Sequence, residues 1–283
     1  SSPSRSKRLN HMTTEEAAVA GDATDKKGQK NLPLGVVLTP TLFFVAFITI
    51  WELAVRIRDI QALLLPAPSA IWAMFLEDFG LLVELAVNTG TEAGKGVLIG
   101  SLIAIGLAGL VHGIGWLNQG LLSYSSTIKA LPTVALYPVM TVFFGVTSQA
   151  VVAMVAVGVA PIMFTFASRG FSGTSEHDEL MRSISANWRT RMTALVLPRS
   201  LPYVMAGLRT AVPLSIIISI ISEYFGGSVS TLGAYIRRES TLLHTVQVWS
   251  AIVMACILGV LVFVAVSLLD RYFLRWHSSR REI

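Results

Sequence analysis

The sequence predicts an all-α protein that crosses a bilayer about six times, and three observations carry that class. Of its 283 residues, 53% are hydrophobic and only 14% charged, with a mean hydropathy of +0.64; a soluble domain carries about a quarter charged residues. The apolar residues are grouped into long blocks, each near the roughly 20 residues a helix needs to cross a hydrocarbon core about 30 Å thick. The net charge of +5 comes from basic residues at the two ends and in one internal loop. Cytoplasmic flanks of membrane helices collect Lys and Arg in this way, so the charge does not point to nucleic acid. The single cysteine, Cys256, lies in an apolar run and has no partner for an intrachain disulfide.

Taken in order, Ser1 to His11 reads as an expression-vector remnant, with Met12 as the natural start, and residues 12–32 as a disordered tail without an apolar face. No cleavable signal peptide is visible in this polar stretch. A membrane domain follows over 33–276, with a basic tail over 277–283. Its spans are expected at about 34–56, 86–111, 121–145, 149–168, 203–224 and 248–272.

Lys26, Lys27 and Lys30 precede the first span, Arg271, Arg275, Arg280 and Arg281 close or follow the last, and Arg169, Arg182, Arg189, Arg191 and Arg199 flank or fill the loop after the fourth. The positive-inside rule puts both termini and this loop in the cytoplasm. Outside, Arg56 and Arg58 are outnumbered by Asp59, Glu77, Asp78 and Glu84, and only Arg237 and Arg238 run against the count.

Pro132, Pro138, Pro161 and Pro213 each remove a backbone donor within or beside a span, where a neighbour or a cavity must satisfy the freed carbonyl. Gly96 with Gly100, and Gly109 with Gly113, form small-xxx-small pairs that let helices approach closely.

The loop 170–198 carries the functional argument. Ser175-Glu-His-Asp178 reads as a capping box that starts a short helix. Leu180, Met181, Ile184 and Trp188 then fall on one side, with Glu179, Arg182, Ser183 and Asn187 on the other. Spacing alone leaves two readings, a helix lying on the lipid surface and a docking helix for a partner.

The register resembles the cytoplasmic loop of permeases of ATP-binding cassette importers: Glu-Ala-Ala, three residues, Gly, nine residues, Ile, one residue, Leu-Pro. Glu179, Leu180, Met181, Ser185, Leu195, Leu197 and Pro198 stand in that register without a gap. Leu180-Met181 replaces the two alanines and Ser185 the glycine of the turn, for which Asn187 can supply the left-handed residue. The resemblance extends to the branch handling nitrate, bicarbonate, sulfonates, taurine and pyrimidine precursors. It runs through Leu65-Pro-Ala-Pro68, Leu131-Pro132 to Gly145, Pro198 to Pro202, Gly207-Leu-Arg209 and Glu223 to the element Thr231-Leu-Gly233.

The resemblance implies a type I importer permease fold. Glu179, Leu180, Met181, Ile184, Ser185, Asn187 and Trp188, with Leu197 and Pro198, would form the coupling element that docks in a cleft on the ATPase. Pro132, Pro138, Arg209, Pro213 and Glu223 become candidates for the translocation pathway or its gate. It also implies a second permease subunit, as a homodimer, two ATPases that bind the ATP and magnesium, an outer solute-binding protein, periplasmic or lipid-anchored, and a place in the bacterial cell membrane. No cofactor is expected on this chain.

Other chemistry is weaker. Gly90-Thr-Glu-Ala-Gly94-Lys95-Gly96 is one residue short of a phosphate-binding loop and lacks its Ser or Thr, so Glu92 and Lys95 read as a helical pair near the membrane surface. Gly170-Phe-Ser172-Gly173 resembles an intramembrane protease motif but sits in a polar loop, and the five histidines show no ligand spacing. Glu223 is the clear ionisable residue within a span, read as solvated or paired at the outer mouth or else as part of the pathway. Lys129 reads as snorkelling to the inner headgroups. The rival functions are a secondary transporter, which would be expected to show inverted repeats and buried ion-coupling carboxylates, and the protease.

Overall fold

The structure is a computed structural model that describes residues 34–112, 114–129, 132–172, 187, 190 and 192–273. It divides into a first unit ending at Leu53 and a second beginning at Ala54. The helices are α1 (Leu34–Ile57), α2 (Pro68–Glu77), α3 (Phe79–Val111), α4 (Gly115–Lys129), α5 (Tyr137–Phe144), α6 (Ser148–Phe171), α7 (Leu197–Phe225), α8 (Leu232–Thr241) and α9 (Thr245–Phe273). A 3-10 turn, Thr133–Leu136, precedes α5, and a π-helical turn, Met192–Val196, leads into α7.

Among the described residues, five helices are long and apolar enough to cross a membrane: Leu38–Ile57, Phe79–Val111, Ser148–Phe171, Met192–Phe225 and Thr245–Phe273. The third expected span, 121–145, is not one continuous helix. It is α4 followed by Thr133–Phe144, bent by 90°. Pro132 supplies the reason, because it cannot donate into the ladder and restricts the residue before it. Pro138, in the first turn of α5, costs nothing there, since that N–H needs no helical partner.

The second unit is built around α6. In its most apolar window 67% of the residues are buried, against 6% in α9, whose side chains mostly face outward as lipid contact requires. Met154, Val155, Val159 and Met163 of α6 pack with Ala104 and Ala108 of α3 and Ala211 and Ile218 of α7. The approach of α3 to α6 depends on Gly96 and Gly100. A methyl on Gly96 would lie 2.5 Å from Val155 Cβ, and one on Gly100 2.6 Å from the Ala156 carbonyl oxygen. The expected small-residue contact exists at this pair. Gly109 has only an ordinary contact with Phe171 at 3.6 Å, and Gly113 lies outside the described residues.

A second apolar cluster joins Phe75 of α2, Leu82 and Leu85 of α3, Leu232 and Tyr235 of α8, and Met254 of α9. Its helices are short where the chain must turn back. Pro68 opens α2 at its first position after an extended Ala67. At the end of α8, His244 N–H reaches Glu239 O at 2.9 Å and Leu243 N–H reaches Ser240 O at 3.2 Å, with Leu243 left-handed at φ 61°. This is the Schellman arrangement with leucine where glycine is usual.

α8 also carries the two arginines that run against the charge count. Arg238 pairs with Glu239 at 2.8 Å and lies 5.0 Å from the centre of the Tyr235 ring. Its charge is therefore locally answered. Tyr235 donates to Asp78 Oδ2 at 3.2 Å, and burial together with the Asp78 charge raises its phenol above the ordinary value.

Candidate functional site

The segment expected to grip a partner emerges between α6 and α7, and its two ends are held together. A methyl on Gly170 would lie 2.9 Å from Ser200 Cβ and 3.1 Å from Tyr203 Cβ, so the two helices touch almost backbone to backbone. Arg199 Nη2 donates to the Phe171 carbonyl at 2.9 Å, capping the last turn of α6 with a cation, which also suits the negative end of that helix. Phe171 and Val196 are buried beside this contact, and the His112 ring meets Phe171 edge-on at 6.1 Å. The ends of α6 and α7 thus form a closed stem.

Leu197 and Pro198 are exposed at the start of α7. Pro198 lacks an N–H, and the π-helical turn immediately before it is where the ladder widens to accommodate the loss. Asn187 Oδ1 accepts from the Thr190 N–H at 2.8 Å and from its hydroxyl at 2.7 Å, the bond pattern of a helix N-cap. Glu179, Leu180, Met181, Ile184, Ser185 and Trp188 lie outside the described residues, as does the expected capping box.

The pathway candidates do not form one cluster. Glu223 is fully buried near the end of α7. Its Oε2 accepts from the Thr89 hydroxyl of α3 at 2.9 Å and from the Gly233 N–H of α8 at 3.0 Å, while Thr89 Oγ1 in turn accepts from the Leu232 N–H at 3.0 Å. The reading of Glu223 as a solvated or cation-paired carboxylate is therefore corrected: through Oε2 it fastens three helices and caps the first turn of α8. Arg209 pairs with Asp270 of α9 at 3.7 Å and lies 5.9 Å from the centre of the Phe263 ring. Pro213 lies inside α7 one turn further on, and Pro132 and Pro138 flank the bend described above.

Two buried acids were missed as ionisable groups of the spans. Glu92 of α3 is 7% exposed and Asp270 of α9 8%. Glu92 was expected to pair with Lys95 near the surface. It turns inward instead, Lys95 is exposed, and no ion pair joins them. The i, i+3 spacing of Glu92 from Thr89 placed it on the same helical face, and that was the available signal. Among the described residues no group of three or more His, Cys, Asp or Glu could hold a metal ion.

Comparison with known proteins accounts for this arrangement. Residues 96–275 match the family model described as binding-protein-dependent transport system inner membrane component. The formylaminopyrimidine transport permease protein ThiX of Halalkalibacterium halodurans is 30% identical over 255 residues, covering 86% of this chain and 97% of that protein. The putative aliphatic sulfonates transport permease protein SsuC of Escherichia coli is 27% identical over 248 residues, covering 86% and 93%. In fold, the chain resembles a chain of the MetNI methionine ABC transporter in an inward-facing form, with a TM-score of 0.57 at 18% identity over 69% of this chain and 97% of that one. A bundle with a bent span, a stem that presents one polar segment and a family match across most of the membrane domain lead to one assignment: the chain belongs to the binding-protein-dependent transport system inner membrane components, the permease subunits of ATP-binding cassette importers.

Proposed function

We propose that this permease works as a homodimer in the bacterial cell membrane, with both termini cytoplasmic, and that each copy offers the segment from Glu179 to Trp188 to one of two ATPase subunits. ATP and magnesium bind the ATPases, and a solute-binding protein delivers a small solute to the outer face. Nitrate, bicarbonate, a sulfonate and a pyrimidine or aromatic precursor are the classes suggested by the branch.

The observation that carries this reading is the stem. With Arg199 on the Phe171 carbonyl and Gly170 against Ser200, movement of the segment is passed to α6 and α7 together. A packed, hydrogen-bonded pair moves as a rigid body more readily than it shears. The family register from Glu179 to Pro198 supports the same reading.

The test is copurification and uptake in the native host. Tagged wild-type chain should bring down an ATPase, whereas Glu179→Lys or Ile184→Asp should lose that partner and abolish uptake while the chain stays in the membrane at wild-type level. Normal uptake by both variants would overturn the proposal.

A further inference from the structure

A groove of about 460 Å³ lies between α3 and α6, with Phe144 of α5 beside it. Its direction follows from the glycine contacts. Gly96 meets Val152 and Val155, and Gly100 meets Ala156, so the two helices run side by side in the same sense. Lys95 therefore lies near the start of α6, where Ser148 and Gln149 also line the groove. Ile99 and Ala156 lie a turn further along, and Val152 and Ala153 complete an apolar wall in which two alanines leave the space. The charged end is the end of α6 away from the stem.

Lys95 is exposed and has neither a hydrogen bond nor an ion pair among the described residues, and Glu92, its expected partner, is buried. It is the single charged residue lining the groove. Beyond it Leu98, Ile99, Leu102 and Ile103 are exposed at four-residue spacing on one face of α3, the pattern of a surface turned to hydrocarbon. A cation at the head of such a face is costly unless an anion answers it. The arrangement fits an amphiphile with an anionic head at Lys95 and an apolar tail along the groove. A second copy of the chain fits less well, because it would bury the ammonium and need a carboxylate to pair with it. A zwitterionic head would bring an amine, and no acidic residue lines the groove to receive it.

We propose that this groove binds an anionic phospholipid, with the phosphate on Lys95 and an acyl chain along Ile99, Val152, Ala153 and Ala156. The site lies on the lipid-facing side of the bundle, and it goes beyond the importer reading without depending on it.

The test uses the full chain in phosphatidylcholine nanodiscs carrying a trace of a phospholipid with a diazirine in its acyl chain. Phosphatidylglycerol and phosphatidylcholine probes with the same chain are compared, and crosslinked peptides are mapped by mass spectrometry. The exposed face of α9 at Leu261 and Leu268 is the internal reference for ordinary lipid contact. Relative to it, the phosphatidylglycerol probe should label the groove about fivefold more than the phosphatidylcholine probe, the ratio one lysine at an anionic membrane surface gives. Lys95→Gln should bring the two probes level, and Lys95→Arg should keep the preference. Ala153→Leu, which fills the groove, should reduce its labelling by both probes while α9 labelling stays unchanged.

Equal labelling of the wild-type groove by the two probes overturns the proposal, as does a preference that survives Lys95→Gln. Labelling of α9 with none in the groove also overturns it, since protein would then cover the groove. The wild-type comparison decides the matter even where a variant fails to insert. Labelling is read without ATP, solute or partner, so loss of ATPase copurification leaves this proposal standing.

Discussion

Gly233 has no room for a side chain: a methyl there would lie 2.3 Å from the Ile220 carbonyl oxygen and 2.5 Å from Glu223 Cβ. Gly233→Ala should therefore lower thermal stability in detergent by about 1–3 kcal/mol, the usual cost of overpacking. Gly94→Ala, where nothing lies within 4 Å, should be neutral or stabilising by up to about 1 kcal/mol through helix propensity. Equal melting temperatures for the two variants would refute the assignment of close approach. Thr89→Val removes one donor from Glu223 and the acceptor of the Leu232 N–H, and should cost about 1–3 kcal/mol on the same assay. At this scale the sequence offered part of the picture. Glu223 stood out as an acid in an apolar run, but its partners are Thr89, 134 residues away, and a backbone N–H, and neither is signalled by local pattern.

Among the elements, α8 was read as part of an outer loop, and its amphipathic helix came only from the structure. Its final turn is held by Glu239, which accepts from Arg238 and pairs with His244 Nδ1 at 2.8 Å. Burial alone would raise the Glu239 carboxyl, but the hydrogen bonds from Arg238 and His244 outweigh it and hold the group below its ordinary value. Its contribution to stability is thus fully present above the ordinary glutamate range and is lost as pH falls through the depressed value. Amide exchange at His244 should be slow and flat around neutrality, after correction for intrinsic chemistry, and should accelerate only in acid. Glu239→Gln should remove that acid dependence. Unchanged acid dependence in Glu239→Gln would refute the account. The bend after α4 shows the same limit of sequence. Pro132 marked a discontinuity, but a proline in a membrane helix can kink it slightly or turn it through 90°, and packing of the 3-10 turn against α6 and α7 decides which.

For the whole molecule, loosening the stem should separate hydrolysis from transport. Arg199→Met removes the bond to the Phe171 carbonyl while keeping an unbranched side chain of similar bulk. The reconstituted complex should retain its ATPase partner and ATP turnover but lose most of its uptake. Uptake and hydrolysis falling together would instead mean that Arg199 serves docking. The sequence by itself determined the all-α membrane class and the close approach at Gly96 and Gly100, because hydropathy and small-residue spacing are short-range patterns in one dimension. Only the tertiary structure decided that Glu223 is a fastener, that Glu92 and Asp270 are buried, that Lys129 donates to Thr165, and that Arg199 closes the stem. Those outcomes depend on which helix faces meet, and a charged group's role in a membrane is set by the partner that answers it across space.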